Sequence, residues 1–303
     1  MTIQSQKLEV RDKFDSEQKH WEDMYHKSDY GSRGHQWRQD SGIVLLRTFL
    51  PNGGRILDVG CGCGHASTAL AQFGYQVIGL DISENMISQA RRNAQSMGLG
   101  ENCAFRAGDF EKEWLALEPF DGILALGFIE YFDDPVCVLR SFFDLLKPGG
   151  IAAVQIWNWR SLPDLLFEPV FQLGNLVHPI RVARRVVRKA LPERIIRMIR
   201  GPRPVTTAVK DDKNVLHRRA ITTAFKDDKD VVHRRYSPRQ LERFATEAGL
   251  KPIGSSGSRY FSNRHFPAEG FKLRHETTMQ RIANRNTWFR RLAIDYVAAL
   301  QKP

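Results

Sequence analysis

The chain has 303 residues, 42% of them apolar, which suits one large domain or one domain with an insertion and supplies enough apolar side chains for a core. No apolar run reaches the about eighteen residues of a membrane-crossing helix. The formal net charge of +11 is uneven: residues 178–235 hold 17 Lys and Arg against 6 Asp and Glu, leaving 28 of each sign elsewhere, so any electrostatic partner is expected at that basic segment.

The opening residues, "MTIQSQKLEVRDKF", lack the apolar stretch of a secretory leader, and a cytoplasmic protein is expected. Phe14, Trp21, Met24 and Tyr25 recur at helical spacing, so residues 1–50 read as a helical flap packed on the domain. "RILDVG" (55–60) is a short apolar run ending in glycine, as a buried strand does before a turn. "HASTALAQFG" (65–74) has helical spacing and "QVIGLD" (76–81) reads as a second strand. Ser83 caps a helix over 84–98 that stops at Gly98. "CAFRAGD" (103–109), "FDGILALG" (120–127) and "IAAVQIWN" (151–158) read as three more strands. Between the last two, "DDPVCVLRSFFDLLKPGG" reads as a helix ended by Pro148, Gly149 and Gly150. Strands alternating with helices predict a parallel sheet covered on both faces.

The alternation stops after Asn158 and resumes at "YSPRQLERFATEAGLKPIGSSG" (236–257), with Ser237 as cap, Pro238 at the first helical position and a strand after Gly249. Four parts follow: the flap (1–50), a core (51–159), a basic insertion (160–235) and the rest of the core (236–303). Within the insertion, "HPIRVARRVVRKAL" (178–191) turns Ile180, Ala183, Val187 and Leu191 to one side and Arg181, Arg184, Arg185 and Arg188 to the other. It suits a lid helix, or a helix over 178–200 lying on an anionic membrane surface. The insertion also repeats itself: "TTAVKDDKNVLHRR" (206–219) returns as "TTAFKDDKDVVHRR" (222–235) with three changes. Two copies are too few for a stacked solenoid. They read as a tandem duplication in a surface loop, each copy able to form a hairpin around "KDDK". His217 and His233 within it read as packed or solvated rather than metal-binding. "TWFRRLAIDYVAALQKP" reads as a short helix and a final strand near 294–301 closing a sheet edge. Cys61, Cys63, Cys103 and Cys137 show no metal spacing and read as reduced thiols.

Chemistry gathers at successive strand ends. Gly60, Gly62 and Gly64 in "LDVGCGCGH" let the backbone approach a ligand closely before a helix N-terminus. From Gly62 the dinucleotide pattern G-x-G-x-x-G fails at Ser67, which disfavours a nicotinamide cofactor. Asp81 ends the second strand, where a carboxylate accepts hydrogen bonds from ribose hydroxyls. Asp109, followed by Phe110, ends the third.

In this order "ILDVGCGCGH", "VIGLDIS", "AGDFE", "FDGILALGFIEYF" and "LLKPGG" resemble the class I S-adenosylmethionine-dependent methyltransferases, in the branch acting on small molecules such as quinone and porphyrin precursors. The resemblance covers about residues 55–160 and 236–258. It implies an α/β, doubly wound, seven-stranded, mostly parallel Rossmann-like sheet with the last strand antiparallel. It implies S-adenosyl-L-methionine as cofactor: Gly60, Gly62 and Gly64 around the methionine part with Asp58 near its amino group, Asp81 and Ile82 at the ribose, Asp109 and Phe110 at the adenine, Leu126 and Gly127 beside the sulfonium. A small, apolar acceptor methylated on oxygen or carbon needs a base, for which Glu130, Tyr131, Tyr25 and His35 are the candidates. Nucleic acid is disfavoured: "GFIEYF" stands where an amine-methylating enzyme has Asn/Asp-Pro-Pro-aromatic, and no cysteine follows a proline. The rival from another class is a protein that binds the cofactor but only regulates or scaffolds.

Overall fold

The structure is a computed structural model that describes residues 3–51, 53–162, 223–226, 231–261 and 269–303. Seven strands form its central sheet: β1 (Arg55–Val59), β2 (Gln76–Asp81), β3 (Cys103–Ala107), β4 (Phe120–Ala125), β5 (Leu146–Trp157), β8 (Lys251–Ser258) and β9 (Asp295–Gln301). Their order is β3-β2-β1-β4-β5-β9-β8. The first five pair in parallel, and β9 runs antiparallel to both β5 and β8. The expected seven-stranded α/β sheet with its last strand antiparallel is therefore present.

The helices are α1 (Ile3–Met24), α2 (Tyr30–Phe49), α3 (His65–Gln72), α4 (Glu84–Ser96), α5 (Phe110–Glu113), α6 (Pro135–Leu145), α7 (Pro238–Glu247), α8 (Glu269–Arg285) and α9 (Thr287–Arg290). Alternate strand residues feed opposite faces, as a period of two requires. Leu57, Val59 and Ile123 pack with Leu139 and Phe142 of α6 and with Leu241 and Phe244 of α7. Ile56, Val77 and Leu124 pack with Ile43 and Leu46 of α2 and Leu70 of α3. Burial on both faces is why these strands read as unbroken apolar runs. The caps are where the sequence puts them: Ser83 Oγ accepts from Met86 N, and Ser237 forms a capping box with Gln240.

Two readings need correction, and one helix has no counterpart among them. α6 stops at Leu145, and Pro148, Gly149 and Gly150 lie inside β5, where the register to β4 shifts. Gly149 takes φ +78° and its N–H donates to Lys302 O at 2.9 Å, so the run is a bulge that continues the ladder rather than a helix stop. β9 closes no edge. Asp295 through Leu300 are all buried, and a strand apolar on both sides belongs inside a sheet; β8, rich in Ser and Gly, is the edge. α8 has no counterpart in the sequence reading, because its face is mostly polar.

The second copy of the repeat forms a separate hairpin, β6 (Thr223–Lys226) antiparallel to β7 (Val232–Arg235). β7 packs on the end of β5: His233 stacks on Trp157 at 5.7 Å, and the Arg235 guanidinium lies 4.0 Å from the same ring. The first copy, His217 and the amphipathic 178–200 segment lie outside the described residues. Among the described residues no helix is long and apolar enough to cross a membrane, and all four cysteines are free.

Candidate active site

The site lies at the carboxyl ends of β1 to β4, where an open α/β sheet leaves its crevice. After β1 the chain turns sharply. Gly60 N and Cys61 N both donate to Leu80 O, at 2.8 and 3.2 Å, folding the loop over the end of β2. Gly60, Gly62 and Gly64 have φ of +68°, +52° and +77°, a region that disfavours side chains. A Cβ on Gly62 would meet no atom within 4 Å, so the loop is open there. Gly64 serves packing instead: a Cβ would fall 2.9 Å from Ala90 Cβ and 3.0 Å from the Phe105 ring, and Gly64 lets α3 pack on α4 and β3.

A cavity of ≈ 340 Å³ opens at this loop. Its wall includes Tyr25, Asp58, Gly60, Gly62, Asp81, Ile82, Asp109, Phe110, Leu126, Gly127, Glu130 and Tyr131. Of the cofactor-binding and base candidates named in the sequence, Gly64 and His35 do not belong to that wall.

Asp81 takes one backbone N–H on each oxygen, from Gly62 at 2.9 Å and from Ser83 at 2.9 Å. A carboxylate has about four lone-pair sites, so both oxygens keep accepting capacity. Burial pushes its pKa up. Asp58 accepts from Ser67 Oγ at 2.6 Å, and burial pushes its carboxyl up to about 7. Asp109 caps α5, and its Oδ2 accepts from Lys7 Nζ at 2.7 Å. Phe110 is buried edge-on to Phe128 and Phe142. Gly127 N donates to Gln155 Oε1 at 2.7 Å. Gln155 Nε2 donates to Asp295 Oδ1 at 3.2 Å, and Arg259 donates to both oxygens of Asp295.

α1 lies across this cavity and lines it with Lys7, Val10, Phe14 and Trp21. Gln6 Nε2 donates to Tyr131 O at 3.3 Å near one end. Asp15 Oδ1 accepts from Ser83 Oγ at 2.5 Å in the middle. Glu22 Oε2 meets His65 Nε2 at 2.9 Å near the other end. Lys7, Phe14 and Trp21 line the cavity seven residues apart, a spacing that keeps one face of the helix inward.

The candidate bases divide. Glu130 sits in the short 3-10 turn Ile129–Tyr131 after β4, only 7% exposed. Burial pushes its carboxyl up to about 7 against the pull of Arg38. Its Oε2 is buried with no hydrogen-bond partner among the described residues, and the same holds for Arg38 Nε. Tyr25 stacks on His65 at 4.2 Å, and burial pushes its hydroxyl pKa up. Tyr131 meets the Phe14 ring edge-on at 5.8 Å. His35 lies edge-on to Trp21 at 5.3 Å, and burial pushes its imidazole down to about 2, so it is neutral and packed.

Sequence reasoning missed Lys7, Arg38 and the Gln155–Asp295–Arg259 chain. Lys7 had a signal, its place on the stripe with Phe14 and Trp21. The others pair across 28 to 140 positions, which no local pattern marks.

The sequence model of a family described as "Methyltransferase domain" matches residues 50–188. The ubiquinone biosynthesis O-methyltransferase of Ruegeria pomeroyi is 37% identical over 123 residues, 41% of this chain and 48% of that protein. The tRNA 5-carboxymethoxyuridine methyltransferase of Escherichia coli is 34% identical over 119 residues, 39% of this chain and 46% of that protein. The chain thus spans about half the length of these curated relatives. The crystal structure of a 1,6-didemethyltoxoflavin-N1-methyltransferase from Burkholderia thailandensis, with bound 1,6-didemethyltoxoflavin and S-adenosylhomocysteine, superposes with a TM-score of 0.58 at 14% identity, covering 100% of this chain and 91% of that one. That likeness speaks for the fold. The family model thus matches under half of the chain, while the strand order and the structural likeness give the described residues a Rossmann-like methyltransferase fold.

Proposed function

We propose that the chain is an S-adenosylmethionine-dependent methyltransferase that methylates an oxygen or carbon of a small, apolar acceptor by direct displacement. One observation carries the reading: a single cavity gathers the glycine loop, Asp81 and Asp109 on one side and, on the other, Glu130 and Arg38, whose Oε2 and Nε have no hydrogen-bond partner among the described residues. When bound, the cofactor supplies a methyl group already activated by its sulfonium. Gly60 and Gly62 admit its methionine part, Asp58 lies near the amino group, Asp81 with Ile82 accepts from the ribose hydroxyls, and Asp109 with Phe110 holds the adenine. Leu126 and Gly127 flank the reacting end. Gly64 acts from behind, by packing.

Acceptor alignment carries much of the rate, since good orientation alone is worth about 7–11 kcal/mol. Glu130 takes the acceptor's proton. A carboxyl at about 7 is substantially ionised at neutral pH and still basic enough to accept. Phe14, Trp21 and Tyr25 on and beside α1 give the acceptor an apolar, aromatic wall and keep water out.

A second reading, RNA as substrate, is favoured by two facts: the basic 178–235 segment, and a relative named for action on tRNA. The aromatic wall of Phe14, Trp21 and Tyr25 favours the small acceptor.

The test is calorimetry with S-adenosylmethionine and S-adenosylhomocysteine, then transfer of labelled methyl into extracted metabolites, lipids and tRNA. Label in a small apolar compound supports the reading. Salt-sensitive label in tRNA alone transfers it to RNA. Cofactor binding without any transfer makes the chain a regulator. A chain that ignores both ligands but binds a nicotinamide dinucleotide sinks the proposal.

A further inference from the structure

At the rim of the cavity three side chains converge from two elements. Glu22 lies on the last turns of α1, His26 four residues on, and His65 opens α3. His26 lies in the tight turn directly after α1, where His26 N donates to Asp23 O at 3.1 Å, and this turn sets its imidazole on the side of the Glu22 carboxylate. His26 Nε2 lies 3.2 Å from Glu22 Oε1, and His65 Nε2 lies 2.9 Å from Glu22 Oε2. One ligand atom from each residue falls within 4.8 Å of the others.

We propose that Glu22, His26 and His65 form a site for a divalent transition-metal ion, zinc by its chemistry, that fastens helix α1 to the end of the glycine loop.

Two imidazole nitrogens and a carboxylate oxygen are zinc ligands, and a fourth position is left for water. Zinc–ligand bonds of about 2.0–2.1 Å set tetrahedral ligands about 3.3 Å apart. The Glu22 contacts are already near that spacing, and side-chain rotation closes the rest. The surroundings hold the ligands as an outer layer does in metal sites. Asn93 Nδ2 donates to Glu22 Oε2 at 3.1 Å and to Cys63 O at 2.9 Å, joining the carboxylate to the loop. The Tyr25 ring, stacked at 4.2 Å, fixes the plane of His65. Glu22 and His65 side chains are each 17% exposed, while His26 is 68% exposed, which gives two fixed ligands and an open entrance. An ion there ties α1 across the cavity mouth, at the end opposite Gln6.

The full chain, stripped with a chelator, is dialysed against micromolar zinc chloride and its metal counted. One zinc per chain is expected, bound about tenfold or more weakly in His26→Ala and in Glu22→Gln, with unchanged circular dichroism. His26 is a surface residue, so its variant folds. Cobalt in the same position should give visible d–d bands of tetrahedral strength that His26→Ala abolishes. Zinc should also slow tryptic cleavage within α1 severalfold in the wild type and not in His26→Ala. No bound zinc, zinc that survives either substitution undiminished, or cleavage of α1 indifferent to zinc would overturn the proposal.

Discussion

Two buried carboxylates in this molecule lie beside arginines, and they are finished differently. Asp295, 1% exposed, accepts from Arg259 Nε at 2.5 Å, from Arg259 Nη2 at 2.9 Å and from Gln155. Glu130, 7% exposed, faces Arg38, yet its Oε2 and Arg38 Nε have no partner among the described residues. The first pair is reached at a cost. Arg259 adopts φ +57°, and a Cβ on Gly34 would lie 2.2 Å from Arg259 Cδ, so the side chain needs a glycine beneath it. The closed pair also supports the open one: Asp295 holds Gln155, and Gln155 holds Gly127 N in the loop that carries Glu130. A buried polar group left open in a cavity wall is where a ligand belongs, whereas a closed network fixes the frame.

The largest expected effect separates these two pairs. Asp295→Ala takes from buried Arg259 the carboxylate it is bonded to and should cost about 3–5 kcal/mol in denaturant unfolding. Glu130→Gln should change stability by no more than about 1 kcal/mol. Equal losses would erase the distinction. Activity should reverse the ranking at the site. Glu130→Gln should slow methyl transfer by about 10²–10⁴-fold. The wild-type kcat/KM should rise with pH to about 7 and level off above it, because the base must lose its proton and burial has raised its pKa to about 7. That limb should vanish in the variant; a limb that persists assigns the proton to another group.

Away from both pairs the effects shrink. Ser237→Ala removes the capping box of α7 and should lower stability by about 0.5–2 kcal/mol without changing cofactor affinity. Deleting Thr206–Ile221 removes the first repeat copy and keeps the hairpin of the second. It should leave melting temperature and cofactor affinity unchanged. Lost transfer with intact cofactor binding would make that copy part of the acceptor site.

Local signals carried most of the fold. Short apolar runs ending in Gly or Asp marked β1 to β4, and Ser83 and Ser237 marked helix starts, because caps and buried parallel strands are written in neighbouring residues. What pairs at a distance was not legible. Lys7 meets Asp109 across 102 positions. The open state of Glu130 depends on α2, β4 and β9 coming together. Pro148-Gly149-Gly150 misled because a bulge and a helix stop use the same residues, and only the bond to Lys302 decides between them. β9 was misplaced at the edge since its neighbour β8 is too polar to announce that it covers it.

Calorimetric titration with S-adenosylhomocysteine tests the division of the cavity most directly, run on the wild type, Asp81→Ala and Glu130→Gln. Saturable binding is predicted for the wild type. Loss of the Asp81 contacts should weaken it by about 1.5–3 kcal/mol, and Glu130→Gln should bind as the wild type does. A wild-type chain that takes up no S-adenosylhomocysteine, or a Glu130→Gln variant that loses affinity as Asp81→Ala does, would contradict a cavity split into a cofactor half and an acceptor half.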